Sequence, residues 1–108
     1  MAMIELSRDT YEDEVLKSEL PVLVDFWGPR CAPCLAMMPE LEKMSEEYQG
    51  KVKFCKVNCN ENRRLVVELK VMSLPTHLFY KGGEVVGKLV GDEVTKENIG
   101  AKLQELLV

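Results

Sequence analysis

The sequence predicts an α/β fold, with a central mixed sheet of five strands flanked by four helices. Short apolar runs rich in β-branched and aromatic residues alternate with stretches whose apolar residues recur at helical spacing. A Gly82-Gly83 pair separates the last two strand-like segments, which is typical of a β-hairpin because glycine tolerates the positive φ of such turns. Strands that alternate with helices indicate a sheet covered on both faces, and the hairpin makes part of that sheet antiparallel.

The first half of the chain predicts two strands and two helices. Ser7 suits the N-cap of the first helix, and Pro39 falls inside the second, where it should kink the helix because it removes a backbone hydrogen bond. Asp25 is the one charged residue in the otherwise apolar second strand. In chain order, the strand, helix, strand and helix are expected at residues 3–6, 8–18, 22–27 and 34–48.

The second half predicts a strand, a helix, the hairpin and a final helix capped by Thr95. Lys56 occupies a position in the third strand where its alternating pattern calls for an apolar residue. His77, the only histidine, opens the fourth strand and carries no predicted role. The strand, helix, two hairpin strands and final helix are expected at residues 52–58, 60–70, 77–81, 84–90 and from 96 onward.

Length and composition are those of an ordinary globular chain, which predicts a single domain over residues 1–108. The 14 Lys and Arg against 18 Asp and Glu give a net charge of −4, and no basic run is present, so nucleic acid is not an expected partner. No apolar stretch approaches the ~20 residues needed to cross a bilayer, and no signal peptide is recognisable. We therefore expect a cytoplasmic monomer with no membrane partner.

Cys31 and Cys34 are the residues predicted to do chemistry. They stand where a buried strand gives way to a helix, so Cys31 lies at a helix N-terminus, where free N–H groups and the helix dipole stabilise a thiolate. One helical turn brings the two sulfurs within disulfide reach, and Pro33 suits the first turn because it has no N–H to lose. We predict that Cys31 is exposed and attacks a substrate, whereas Cys34 is shielded and resolves the product.

A structural zinc site is the main alternative for the four cysteines. Their spacing, C-x2-C-x20-C-x3-C, approaches that of a zinc ribbon. Against zinc, a helix fills the long gap, and Cys55 lies inside a strand and not in a loop. Cys55 and Cys59 are expected to be small buried thiols, with a disulfide between them as the alternative.

Six motifs resemble the thioredoxin family, and together they span essentially the whole chain. They are residues 24–27, 33–34 with Pro39, 56–58, 74–76, 81–84 and 90–91. The resemblance implies the thioredoxin fold and a thiol–disulfide oxidoreductase, acting as a protein-disulfide reductase through a redox-active Cys31–Cys34 disulfide, with no other cofactor and no metal. It also implies disulfide-containing protein substrates and a flavoprotein thioredoxin reductase, NADPH- or ferredoxin-linked, as electron donor.

The resemblance also assigns roles to residues around the two cysteines. A buried carboxylate needs a partner or a proton, so Asp25 is expected to pair with Lys56 and to take the proton of Cys34. A purely structural ion pair is the alternative. Leu74–Pro75 is expected to be a cis bond that exposes the Leu74 backbone to an extended substrate segment. The implied substrate-binding residues are Trp27, Arg30, Ala32, Pro33, Leu74, Pro75 and Gly91.

Two positions depart from the family pattern. Arg30 stands where the family usually has tryptophan, and Ala32 stands where it usually has glycine. A cation beside Cys31 should favour the thiolate and shift partner choice toward acidic surfaces. Two other functions therefore stay open: a disulfide oxidant or isomerase, and a thioredoxin-fold binding subunit.

Overall fold

The computed structural model describes residues 3–108, and its elements follow the predicted order. The strands are β1 (Ile4–Glu5), β2 (Val22–Trp27), β3 (Lys53–Asn58), β4 (Thr76–Lys81) and β5 (Glu84–Val90). The helices are α1 (Arg8–Tyr11), α2 (Ala32–Glu47), α3 (Arg63–Glu68) and α4 (Lys96–Leu106). A π-helical turn, Glu12–Leu16, continues α1, and a 3-10 turn, Gly91–Glu93, follows β5. None of the helices in this range is long and apolar enough to cross a membrane.

The five strands form one mixed sheet in the order β1-β3-β2-β4-β5, which confirms the predicted fold class. β1, β3 and β2 are parallel, whereas β4 runs antiparallel to both β2 and β5. The central position of β2 agrees with its apolar sequence, because a strand covered on both faces has no polar side. The register places Lys56 on one side of Asp25 and His77 on the other.

Two hydrophobic cores lie on the two faces of the sheet. Val24 and Phe26 of β2 pack in the core that includes residues of α3, whereas Leu23 packs with Leu41 of α2 and Leu103 of α4. Successive strand residues alternate between faces, so Asp25 shares the α2 and α4 face with Leu23. This alternation decides which helix covers the charged residue of β2.

The first helix differs most from its prediction. A regular helix was expected over residues 8–18, but the chain widens into a π turn after Tyr11, with the Lys17 N–H bonded to the Glu12 carbonyl. Val15 is 1% exposed and Leu16 is 39% exposed. A π turn adds a residue to the turn and rotates the residues beyond it about the helix axis, so only Val15 reaches the core.

Candidate active site

Cys31 and Cys34 form a disulfide at the start of α2, with their Cα atoms 5.2 Å apart. Cys31 is the N-cap residue of the helix, and its Sγ accepts a hydrogen bond from the Cys34 N–H at 3.2 Å. Cys31 is half-buried, whereas Cys34 is 2% exposed. Pro33 lies in the first turn, where no backbone N–H is needed. The pair therefore combines a partly exposed cysteine with a buried one, and the partly exposed cysteine stands at the N-terminus of the helix.

The loop before β4 lies beside this disulfide. The Leu74–Pro75 peptide bond is cis, which confirms the prediction. A Cβ added to Gly28 would lie 3.2 Å from the Leu74 side chain, so this glycine lets the loop approach closely. The carbonyl of Gly28 in turn accepts the Cys31 N–H at 3.1 Å. Gly28 thus links the cis-proline loop to Cys31.

Gly91 closes the other side of the cis-proline loop. Its N–H donates to the Pro75 carbonyl at 2.9 Å, and its φ of +60° belongs to the left-handed region that favours glycine. Pro75 is buried, Leu74 and Gly91 are half-buried, and Arg30, Ala32 and Pro33 are exposed. By exposure, these residues form two groups, an exposed helix start and a partly covered loop.

Asp25 has a different partner from the one expected. His77 Nε2 lies 3.0 Å from Asp25 Oδ1, and both residues are 1% exposed. Neither imidazole nitrogen has a hydrogen bond within the described residues, so the ring N–H does not point at the carboxylate even though the atoms are close. We regard this contact as a close pair of ionisable groups and not as an aligned hydrogen bond.

The predicted ion pair between Lys56 and Asp25 is wrong. Lys56 Nζ lies 3.8 Å from Glu5 Oε1 and 5.9 Å from the centre of the Trp27 ring. The register explains the choice, because Lys56 has Glu5 beside it in β1 and Asp25 beside it in β2. The Glu5 side chain is 52% exposed, so pairing there spares the lysine the desolvation that a fully buried partner would impose.

Sequence reasoning left His77 without a role. Its contact with Asp25 depends on the antiparallel register of β2 and β4, which brings together residues far apart in the chain. A polar residue in the apolar fourth strand was the one available signal, since buried polar groups usually have partners. That signal did not say which strand would provide the partner.

Cys55 and Cys59 are free thiols. Cys55 is fully buried, as predicted, and burial raises its pKa to about 12. Cys59 is only half-buried, and burial together with the Asp25 charge raises its pKa to about 11. Within residues 3–108, no group of three or more His, Cys, Asp or Glu side chains is placed to hold a metal ion.

Comparison with known proteins identifies the family of this chain. The family model described as Thioredoxin matches residues 2–105. The chain belongs to the thioredoxin family. It is 42% identical to a thioredoxin of Peptoclostridium acidaminophilum, over 94% of this chain and 92% of that one. It is 40% identical to a thioredoxin of Synechocystis sp., over 95% of each chain, and 47% identical to one of Streptomyces clavuligerus, over 77% of each.

Membership in the thioredoxin family establishes the chemistry of the Cys31–Cys34 pair. The chain is a thiol–disulfide oxidoreductase of the protein-disulfide reductase type, and its redox group is this disulfide. Disulfide-containing substrates and thioredoxin reductases are the general partner classes of the family. The fold and the reaction predicted from the sequence are both confirmed.

Proposed function

We propose that Cys31 attacks the substrate disulfide and that Cys34 resolves the mixed disulfide. The unequal exposure of the two sulfurs carries this proposal, because only Cys31 is open to a protein substrate. The helix N-terminus supports it further, since the Cys34 N–H directed at Cys31 Sγ stabilises negative charge on that sulfur.

The reaction transfers two electrons from the protein to its substrate. The Cys31 thiolate bonds to one substrate sulfur, and the second substrate sulfur leaves as a thiolate. Cys34 then loses its proton, bonds to Cys31 and displaces the first substrate sulfur. The substrate becomes a dithiol and the protein becomes the Cys31–Cys34 disulfide. A reductase returns two electrons to reopen that bond.

Asp25 is the proposed acceptor of the Cys34 proton. It is the buried carboxylate of the sheet face that α2 covers, and it remains the only charged residue within β2. Lys56 contributes through its positive charge in the neighbouring strand, beside Trp27, and not through a contact with the carboxylate. A carboxylate enclosed in this way is suited to hold a proton briefly and then release it.

Substrate segments dock along the cis-proline loop. The loop that carries Leu74 and cis-Pro75 packs against Gly28, three residues before Cys31, and an extended chain can pair with the Leu74 backbone by strand addition. Around this backbone, Trp27, Pro75 and Gly91 form the partly covered side, whereas Arg30, Ala32 and Pro33 form the exposed side. The exposed guanidinium of Arg30 favours substrates that carry acidic residues near their disulfide.

Several broader features complete the proposal. The electron donor is a flavoprotein thioredoxin reductase, NADPH- or ferredoxin-linked, and the protein needs no cofactor beyond its own disulfide. It acts as a monomeric single domain in the cytoplasm. The two free cysteines support that compartment, because closely spaced thiols tend to oxidise in secreted proteins. Assays with purified reductases of both types identify the donor.

Trapping experiments test the order of attack. In Cys34→Ser, a substrate disulfide should remain attached to Cys31 as a stable mixed disulfide, detectable by mass spectrometry. Cys31→Ser should form no adduct and should not reduce insulin, whereas Cys59→Ser, the matched control, should reduce it normally. Rapid adduct formation by Cys31→Ser would contradict the assignment. If the unsubstituted protein does not reduce insulin, a binding subunit would be favoured instead.

Equilibration with glutathione separates the reductant from the oxidant. A reductant keeps its dithiol form only under strongly reducing ratios of glutathione to glutathione disulfide, because its disulfide is the stable form. We therefore expect the Cys31–Cys34 disulfide to persist at most ratios of glutathione to glutathione disulfide and to open only at the most reducing ones. Conversion to the dithiol under oxidising ratios would instead identify a disulfide oxidant or isomerase.

A further inference from the structure

Asp25 and His77 place several polar atoms in the core without hydrogen-bond partners within residues 3–108. Asp25 Oδ2 and both imidazole nitrogens of His77 have no hydrogen-bond partner among the residues that the structure describes. Buried polar atoms without partners each destabilise a fold by about 1–3 kcal/mol. Two apolar residues at these positions would complete the sheet face without that penalty, so the pair points to a use other than packing.

The pair lies beneath the resolving cysteine. α2 starts just after β2 ends, and its Leu41 packs with Leu23, so the helix runs back along the strand. Cys34 precedes Leu41 by about 10 Å along the helix, and Asp25 follows Leu23 by about 7 Å along the strand. The two displacements point toward the same end of the sheet. Buried Cys34 therefore lies over the part of the face that carries Asp25 and His77.

We propose that His77 is a positioning residue that shares the proton taken up by Asp25 when Cys34 resolves the mixed disulfide. This inference rests on the proposed role of Asp25. The sulfur of Cys34 bonds to Cys31, the bond from Cys31 to the substrate breaks, and its electron pair leaves on the substrate thiolate. The proton of Cys34 moves to the Asp25 carboxylate and, as the imidazole turns toward that carboxylate, is shared with His77 Nε2, which lies 3.0 Å from Asp25 Oδ1.

Sharing the proton changes the charge of the buried pair in a favourable direction. With His77 neutral and Asp25 ionised, the pair holds one uncompensated negative charge in the core, which is expensive in a poorly hydrated site. After the proton arrives, the pair is neutral overall, either as carboxylic acid and imidazole or as carboxylate and imidazolium. The imidazole thus gives the Cys34 proton a second site beside the carboxylate, so the pair takes it up without leaving a net charge in the core.

The residues around Asp25 and His77 are either apolar or paired with other residues. In β3, Lys56 is held by Glu5, and in β5 the residue opposite His77 is Leu89. On the covering helices, Lys96 of α4 lies 3.8 Å from Glu40 of α2, so the lysine is paired with that carboxylate and not with Asp25.

Two thiols complete the titratable surroundings of the pair. Cys34 of α2 is the proton donor itself. The pKa of Cys59, which follows β3, is raised by burial and, to a smaller extent, by the Asp25 charge. These groups, together with Lys56, must be considered when the pH dependence of the pair is measured.

The first test measures the resolving step in single turnovers. Reduced protein is mixed with a small disulfide, and Trp27, the only tryptophan, reports the reaction by fluorescence. In His77→Leu we expect the resolving step to slow by about tenfold or more. This is a smaller effect than the 10²–10⁴-fold that a general base itself contributes. The pH profile of resolution should change, whereas the rate of Cys31 attack should not. Leu89→Val, which alters packing opposite His77 without a charge change, should keep the normal profile.

Comparison with Asp25→Asn separates two ways in which the idea can fail. If Asp25→Asn slows resolution and His77→Leu leaves its rate and pH profile unchanged, the role of His77 is refuted and that of Asp25 stands. If Asp25→Asn has no effect, the proposed role of Asp25 fails as well. Joint action predicts that the double variant is no slower than Asp25→Asn alone.

A second measurement needs no variant and so covers the case in which His77→Leu fails to fold. Because His77 is the only histidine, nitrogen-15 NMR of the imidazole shows a single ring. We expect its tautomer or charge to change between the oxidised and the reduced protein as pH is varied. An imidazole signal identical in both redox states across the pH range would overturn the proposal, since an imidazole that shares the proton must respond to the state of Cys34.

Discussion

The amide of Cys34 donates a hydrogen bond to the sulfur of Cys31 at 3.2 Å. In the proposed mechanism, the residue that resolves the mixed disulfide therefore also prepares the residue that attacks, because the Cys34 N–H stabilises negative charge on the Cys31 sulfur. Both effects depend on the helix starting at Ala32, with Cys31 as its N-cap. A shift of that start by one residue would separate them.

Arg30 should raise the reactivity of Cys31 through its charge. We expect Arg30→Trp to lower the thiolate fraction of Cys31 at neutral pH by about two- to fivefold, as for an exposed charge worth 0.3–1 kcal/mol. Thiolate absorbance of the reduced protein measures this, and Arg30→Lys, which keeps the charge, is the control. An unmoved Cys31 titration in Arg30→Trp would leave Arg30 with a role in partner choice alone.

Gly28 should control the distance between the cis-proline loop and Cys31. In Gly28→Ala the new methyl group would lie 3.2 Å from the Leu74 side chain, so the loop must give way by a few tenths of an ångström. We expect KM for insulin to rise severalfold with little change in the Cys31 attack on a small disulfide. Gly87→Ala, whose methyl group meets only ordinary contacts, should leave both unchanged.

Cys55 and Cys59 should stay reduced when the active site is oxidised. Their raised pKa values keep both sulfurs as thiols at neutral pH, and the thiolate is the form that reacts. After mild oxidation, mass spectrometry should show one disulfide, Cys31–Cys34. Alkylation of the native protein should label Cys59 slowly and Cys55 only after unfolding. A second disulfide would contradict this prediction and assign a redox role to Cys59.

The buried thiol of Cys55 should make the fold less stable at alkaline pH. The pKa of Cys55 is 9.0 without burial and about 12 in the folded protein, so the folded state holds its proton more tightly. Its stabilising effect is complete below pH 9 and is lost as pH rises toward 12, at up to about 1.4 kcal/mol per pH unit.

Urea unfolding of the reduced protein between pH 8 and about 11 measures that slope. Burial also raises the pKa of Tyr80, which hydrogen-bonds Tyr11, so these residues act in the same direction. Cys55→Ala should be less stable at pH 8 because it leaves a small cavity, yet its stability should fall less steeply with pH. An equal slope in both proteins would show that Cys55 is not the responsible group.

Much of the fold could be read from local patterns. The apolar run of β2, the Gly82-Gly83 turn and the Thr95 cap each depend on residues close together in the chain, and each element lies where it was predicted. The π turn after Tyr11 was not foreseen, because helical spacing alone does not distinguish a regular turn from a widened one. Packing of Val15 against the sheet decides between them.

For the site, too, local features could be predicted from the sequence, whereas contacts between distant residues could not. The sequence by itself determined the Cys31–Cys34 pair and its seat at a helix start, since spacing and capping are local properties. Only the tertiary structure decided the partner of Asp25. Lys56 and His77 both flank that carboxylate in the sheet, and the desolvation of a buried ammonium, set against the exposed Glu5 nearby, gave Lys56 to Glu5 and left His77 beside Asp25.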